Sequence, residues 1–255
     1  MNKMKILFTL ALVCFFVTTI TAQVKKPVVK KTTTTKTVVK KSVVPLKRTS
    51  TRRATTIKLS GTRVKITTDS GVMVIRLYDK TSKHRDNFIK LANDHFFDSL
   101  IFHRVISQFM IQGGDPQSKN AQPGQMLGSG DVGYTIPSEF DTSFIHKKGA
   151  LSAARMGDDV NPAKASSGCQ FYIVQGQKWT DADLNSMEIR RGTKYSAAQR
   201  NIYKTVGGTP FLDMGYTVFG EVESGMEVID KIASVPKGPG DRPLGDVHMY
   251  VQVIK

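Results

Sequence analysis

From residue 62 the chain alternates polar and apolar side chains. Thr62-Arg63-Val64-Lys65-Ile66-Thr67-Thr68 keeps a period of two, and after Asp69-Ser70-Gly71 the alternation resumes in Val72-Met73-Val74-Ile75-Arg76-Leu77-Tyr78. That period belongs to half-buried strands, and the Gly-containing break predicts a β-hairpin. The period then lengthens. Thr81 stands where a helix N-cap is expected, and Phe88, Leu91 and Ala92 share one face of a helix ending near Asn93-Asp94. Short apolar runs predict strands at residues 101–105, 109–112, 149–153, 170–174, 217–222 and 247–254, with a short helix at residues 226–233. Many short strands, few helices and Gly-rich connections argue for a closed antiparallel barrel rather than a parallel sheet.

Residues 177–209 interrupt this pattern with polar, charged sequence. Thr180-Asp181-Ala182-Asp183 and Ser196-Ala197-Ala198-Gln199 each read as a capping box. Leu184 with Met187, and Ile202 with Val206, supply modest apolar faces, and Gly192 and Gly207-Gly208 supply stops. Two short helices inserted beside the main body are expected. Long structured loops of this kind often contact what a protein binds.

Composition changes the picture mainly at the N-terminus. The 255 residues suit one sizeable domain. The formal net charge of +16 is very unevenly placed: residues 1–68 hold 16 of the 37 Lys and Arg and none of the 21 Asp and Glu, so the remainder is formally neutral. Lys3 and Lys5 precede an apolar run that closes on Ile20-Thr21-Ala22, the pattern of a secretory signal peptide cleaved after Ala22. The run is shorter than the ~20 residues of a spanning helix, which argues against an uncleaved anchor. Residues 23–58 are mostly Lys, Thr, Val and Pro with no aromatic or acidic residue, too little apolar surface to offset chain entropy, and read as a disordered tether. An anionic membrane surface is the weak partner such a segment fits; export argues against nucleic acid. The expected compartment is the periplasm of a bacterium, the expected domain is residues 59–255, and the expected state is a monomer. After cleavage only Cys169 remains, so no internal disulfide is available, and its place in an apolar strand reads as a small buried side chain.

The chemistry concentrates in Phe102-His103-Arg104-Val105-Ile106-Ser107-Gln108-Phe109-Met110-Ile111-Gln112-Gly113-Gly114-Asp115. One permanently charged guanidinium, two large apolar side chains and one amide precede a Gly-Gly turn, a set suited to a proline ring and the peptide bond before it. Rotation about X-Pro meets a barrier of ~18–20 kcal/mol and takes tens to hundreds of seconds uncatalysed. It makes and breaks no bond, so a catalyst needs no metal, cofactor or nucleophile. It must bind the twisted amide better than either planar form. Arg104, with several fixed N–H donors, is the candidate donor to that amide.

As a whole this segment resembles the signature of the cyclophilins, peptidyl-prolyl cis-trans isomerases. The resemblance runs from about Arg63 to Lys255 and implies an eight-stranded barrel capped by two helices. It implies that Phe109 and Met110 form a proline pocket and that Gln112 orients the substrate backbone. A second resemblance lies in Gly149-Ala150-Leu151-Ser152-Ala153-Ala154-Arg155 and Ser167-Gly168-Cys169-Gln170-Phe171-Tyr172-Ile173. There the backbone of Ala154 and Arg155 is implied to pair with the residue before proline, Gln170 to be the orienting glutamine, and Tyr172 to stand where phenylalanine is usual. Arg155 replaces the family's common asparagine, which predicts a preference for acidic substrates. The third is Phe211-Leu212-Asp213-Met214-Gly215-Tyr216-Thr217-Val218-Phe219-Gly220, with Leu212 closing the pocket and Phe211 and Tyr216 at its rim. Phe211 stands where tryptophan is frequent and brings no indole N–H, which puts tight cyclosporin binding in doubt.

The implied activity is isomerisation of X-Pro bonds in unfolded or flexible exported polypeptides; the alternative is a proline-peptide-binding or chaperone module without turnover. His84, His95 and His103 lack the spacing of a metal site, and His103 is expected to be buried and hydrogen-bonded.

Overall fold

The computed structural model describes residues 61–254. The expected signal peptide and tether lie outside the described residues. Strands β1 (Arg63–Thr68) and β2 (Gly71–Leu77) form the predicted hairpin, with Arg63 opposite Arg76 and Thr68 opposite Gly71. There follow α1 (Ser82–Asn93), β3 (Leu100–Ile101), β4 (Arg104–Ile106), β5 (Met110–Gly113), β6 (Thr135–Ile136), β7 (Ala150–Ala153), β8 (Ser166–Ser167) and β9 (Phe171–Val174). The chain ends with α2 (Asp181–Arg191), α3 (Ala197–Thr205), β10 (Val218–Ser224), α4 (Met226–Ala233) and β11 (His248–Ile254).

All pairings are antiparallel. The large sheet has nine strands in the order β3-β11-β1-β2-β10-β7-β9-β5-β4, and β6 pairs separately with β8. Its ladder is open, where a closed eight-stranded barrel was expected. The difference arises at Phe102-His103, inside the single strand expected over residues 101–105. Leu100 and Ile101 pair with β11, and the Phe102 N–H still reaches Val247 O at 2.9 Å. Two residues later Arg104 pairs with Gln112 on β5. The chain changes partners there, so the two edge strands of the ladder are consecutive in sequence.

Alternation buries Val64, Ile66, Met73, Ile75 and Leu77 on one face, where Phe88 of α1 and Val228, Ile229 and Ile232 of α4 complete the core. Phe88 meets Phe97, Phe171 and Phe219 with ring centroids 4.8, 5.3 and 5.6 Å apart. Helix α1 has the expected buried face but not the expected cap. The Thr81 hydroxyl makes no capping bond; the carboxylate of Glu139, far along the chain, instead accepts Lys83 N–H at 3.1 Å and His84 N–H at 3.0 Å.

Two helices occupy residues 177–209. Both capping boxes form, Thr180 with Asp183 and Ser196 with Gln199, and Gly192 ends α2 in the left-handed region at φ 62°. Their apolar contact differs from the expected one: Val206 is exposed, and the fully buried Tyr203 packs with Leu184 and Ile145 instead. At Gly208 (φ 154°) an added Cβ would lie 2.2 Å from the His146 carbonyl oxygen, so this close approach excludes any larger residue.

Candidate active site

A cleft of about 160 Å3 opens beside β5. Arg104 of β4, Met110 and Gln112 of β5, and Phe109 just before it line one part; Ala154, Arg155, Tyr172, Leu212 and Tyr216 line the rest. Two residues expected there stand behind or beside it. Gln170 supports Gln112 from behind, and Phe211 lies against Phe109 with ring centroids 5.7 Å apart.

The polar wall is a relay set by strand register. Arg104 and Gln112 are Cα partners on β4 and β5, which brings their side chains together, and Arg104 Nη1 donates to Gln112 Oε1 at 3.3 Å. Gln112 Nε2 donates to Gln170 Oε1 at 3.1 Å, and Gln170 Nε2 donates to Gly128 O at 3.0 Å and Gly130 O at 2.7 Å. Two carbonyls therefore orient Gln170, Gln170 orients Gln112, and Gln112 turns its oxygen to the guanidinium. Arg104 is half-exposed, and its 3.8 Å approach to the exposed Asp241 is a weak tether in water. The remaining N–H groups are left to face a substrate.

The apolar part combines Met110 and Tyr172, both buried, with Phe109, Leu212 and Tyr216. Behind it runs a buried polar chain. Asp213 Oδ1 accepts the backbone N–H of His146 at 2.8 Å and faces its Nδ1 at 2.8 Å, while Tyr203 of α3 donates to Asp213 Oδ2 at 2.5 Å. A carboxylate only accepts, so Nδ1 carries a proton; Nε2 meets the Tyr172 hydroxyl at 3.0 Å. Burial, with Asp213 nearby, pushes the phenols of Tyr172 and Tyr203 well above the usual tyrosine range, so both stay protonated. The inserted helices thus reach the cleft wall through Tyr203, Asp213, His146 and Tyr172.

Three expectations are corrected. Arg155 does not present a free charge for acidic substrates. Its side chain is 6% exposed, donates to Gly215 O at 2.7 Å and Met156 O at 2.8 Å, pairs with Asp158 at 2.6 Å, and lies 4.5 Å from the Tyr216 ring centroid. It is a strut under the Tyr216 wall. The backbone edge also differs from the expected pair: Ala154 N–H bonds Gln170 O and Ala154 O accepts Ser167 N–H, whereas among the described residues the N–H and C=O of Arg155 have no partner. His103 is buried, as expected, but neither ring nitrogen finds a hydrogen-bond partner among the described residues. Burial lowers its pKa to about 4, Asp115 opposing and Arg104 and Arg242 assisting.

Cys169 is buried, and that burial raises its thiol to about 11, so it is no nucleophile at neutral pH. Among the described residues no three His, Cys, Asp or Glu side chains gather as a metal site. What the cleft offers is an apolar seat, an open backbone edge and a preorganised cation, the parts required to hold a twisted amide. Sequence reasoning missed His146, Asp213, Tyr203, Arg191 and Trp179. Asp213 lies inside the third motif and was the one open signal; the others sit outside all three.

Comparison with known proteins agrees with this geometry. The family model for cyclophilin type peptidyl-prolyl cis-trans isomerase matches residues 63–253. A bifunctional phosphatase/peptidyl-prolyl cis-trans isomerase of Streptococcus pyogenes serotype M6 is 39% identical over 194 residues, 74% of this chain and 37% of that protein's length. A peptidyl-prolyl cis-trans isomerase of Staphylococcus aureus is 34% identical over 186 residues, covering 72% of this chain and 87% of its own. In fold the chain is similar to a cyclophilin type isomerase of Cryptosporidium parvum, solved also in the presence of the dipeptide Ala-Pro, with a TM-score of 0.54 and 21% identity over 76% of this chain and 98% of that one. The family match takes in every side chain of the cleft, and the chain belongs to the cyclophilin-type peptidyl-prolyl cis-trans isomerases.

Proposed function

We propose that this isomerase turns X-Pro bonds by seating the proline ring on Phe109, Met110, Tyr172 and Leu212, pairing the preceding residue with the Arg155 backbone, and donating from Arg104 to the twisted amide. The observation that carries this reading is the relay Arg104–Gln112–Gln170, which fixes a permanent cation at the mouth of an apolar cleft. A guanidinium held in advance serves the localised nitrogen lone pair or the displaced carbonyl without proton transfer. The Ala-Pro dipeptide used with the Cryptosporidium relative supports a proline-containing ligand.

The substrates are flexible segments of exported proteins. Support comes from the sequence of residues 1–22, a signal peptide ending at Ala22, and from the basic, acid-free residues 23–58, read as a tether suited to anionic membrane surfaces. We place the protein in the periplasm as a monomer. We also read β3 and β4 as halves of one bent strand; joined through Phe102-His103 they reduce nine strands to eight and close the ring.

Exchange NMR on a short Ala-Pro peptide tests the mechanism. Arg104→Ala is expected to slow turnover on the order of a hundredfold, about 3 kcal/mol of transition-state stabilisation, with a much smaller change in affinity. Arg104→Lys rescues only part, because a point charge does not reproduce the planar fork. Near-normal exchange in the Ala variant, or equal loss of binding and turnover, overturns the role given to Arg104. Binding without acceleration by the unsubstituted protein overturns the activity.

A further inference from the structure

Helix α2 carries a large aliphatic side chain that its folding does not need. Leu184, Met187 and Glu188 make its buried face, while Ile189 is 82% exposed. A lone exposed isoleucine is ordinary, but this one lines a groove of about 500 Å3 with Trp179, Asp183, Ser186 and Arg190. Asp183 is committed to the Thr180 cap, and the Trp179 indole N–H donates to Gly208 O at 2.9 Å, which leaves its half-buried ring to offer the groove an apolar wall. Arg190 is exposed and has no partner among the described residues.

The groove is joined to the cleft by rings. Trp179 and Phe211 have centroids 6.2 Å apart, and Phe211 and Phe109 5.7 Å, with Phe109 lining the cleft. Two such steps correspond to about four residues of extended chain at ~3.3 Å each. The junction is also fixed. Arg191 donates to Phe211 O at 2.6 Å and Asp213 O at 2.8 Å, and the Tyr195 hydroxyl donates to Pro210 O at 2.9 Å.

We propose that the α2 groove extends the substrate cleft. It takes an apolar side chain about four residues from the proline of an extended polypeptide, with an adjacent acidic residue facing Arg190. The occupant is the substrate chain itself, because a row of packed rings leads from Trp179 in the groove through Phe211 to Phe109 at the proline seat, and its sign of charge follows from the unpaired guanidinium. This rests on the isomerase reading and adds a selectivity that the small proline seat cannot supply.

The test uses the full chain and four classes of proline peptide: a short Ala-Ala-Pro-Ala, and longer ones bearing Leu-Glu, Leu-Lys or Gly-Gly four residues from the proline, on either side. By exchange NMR the Leu-Glu peptide, extended in one of the two directions, is expected to gain about tenfold in kcat/KM over the short one, mostly through KM. The Gly-Gly peptides gain little. Ile189→Glu, an exposed change, is expected to cancel the gain, and Arg190→Glu to shift preference from Leu-Glu to Leu-Lys. No gain in either direction, or a gain that survives Ile189→Glu, overturns the groove. Turnover of the short peptide reads the isomerase assignment separately. Were that turnover absent, peptide affinity followed by the fluorescence of Trp179, the single tryptophan of the chain, still decides the groove.

Discussion

The two sides of the cleft are held by different means. On the sheet side, Arg104, Gln112 and Tyr172 sit on β4, β5 and β9, so backbone ladders fix their positions and adjacent side chains need only to be oriented. On the other side, Leu212 ends a single 3-10 turn (Pro210–Leu212) and Tyr216 lies in the loop after it, both outside the ladder and held by side chains: Asp213 on His146, Tyr203 and Arg191 from the insertion, and Arg155 on Gly215. Each side has one buried histidine, and they are opposites. His146 is bonded at both ring nitrogens, whereas His103 is bonded at neither. The orphan imidazole sits at the Phe102-His103 junction between two strands, β3 and β4, whose own positions are set by backbone bonds. A loop wall has no such reserve and depends on its polar side chains.

The largest break of this contrast is Asp213→Ala. It strands a buried backbone N–H, an imidazole N–H and the Tyr203 hydroxyl, and each unsatisfied buried group costs ~1–3 kcal/mol. A loss on the order of 3–5 kcal/mol in urea unfolding is expected, together with a raised KM as Leu212 loses its seat. Gln112→Ala on the sheet side should cost less, about 1 kcal/mol, while lowering kcat, because the ladder survives, the guanidinium is released and water from the cleft reaches the Gln170 oxygen left behind. Equal stability losses in the two variants would show that the walls are held alike.

The second difference is read by pH. An unfolded histidine takes a proton near 6.5, whereas folded His103 takes one only near 4, so between those values the unfolded chain binds more protons. Stability therefore falls as pH drops from about 6.5 towards 4, by roughly 3 kcal/mol from this group at ~1.4 kcal/mol per unit. His84, lowered by burial against the pull of Glu139, adds in the same direction. His103→Phe is expected to flatten the slope in that window whatever its overall stability, because the slope is what is read. An unchanged slope would place the acid sensitivity elsewhere.

How much of this was legible in the sequence follows the same division. The alternation of Val64, Ile66, Met73 and Ile75 marked the central hairpin, and the 102–115 and 149–173 motifs put Arg104 and Gln112 on paired strands and Gln170 immediately before β9, because local pattern determines register. The loop wall was named through Leu212 and Tyr216, but not what holds it. His146 and Asp213 are 67 residues apart, and Glu139 caps α1 from 55 residues away; no period records such pairs. Arg155 was identified by type as a specificity charge, although Asp158 and Gly215 already occupy it. The break at Phe102-His103 escaped notice because an apolar run reads as one strand even where the backbone changes partners.

The smallest expected effect is the most selective. Tyr172 belongs to both systems: its backbone is in the ladder on β9, and its hydroxyl ends the polar chain from the insertion. Tyr172→Phe keeps the aromatic wall and removes one hydrogen bond, so the expected cost is about 1 kcal/mol in unfolding. If the polar chain only props the loop wall, turnover of a short peptide changes less than about twofold and the cost is shared with Tyr203→Phe, the double variant losing less than the sum of the two singles. If kcat instead falls tenfold with KM and stability nearly unchanged, the hydroxyl acts on the proline seat itself, and the insertion has a route to the chemistry that runs through His146 rather than through the Phe211 rim.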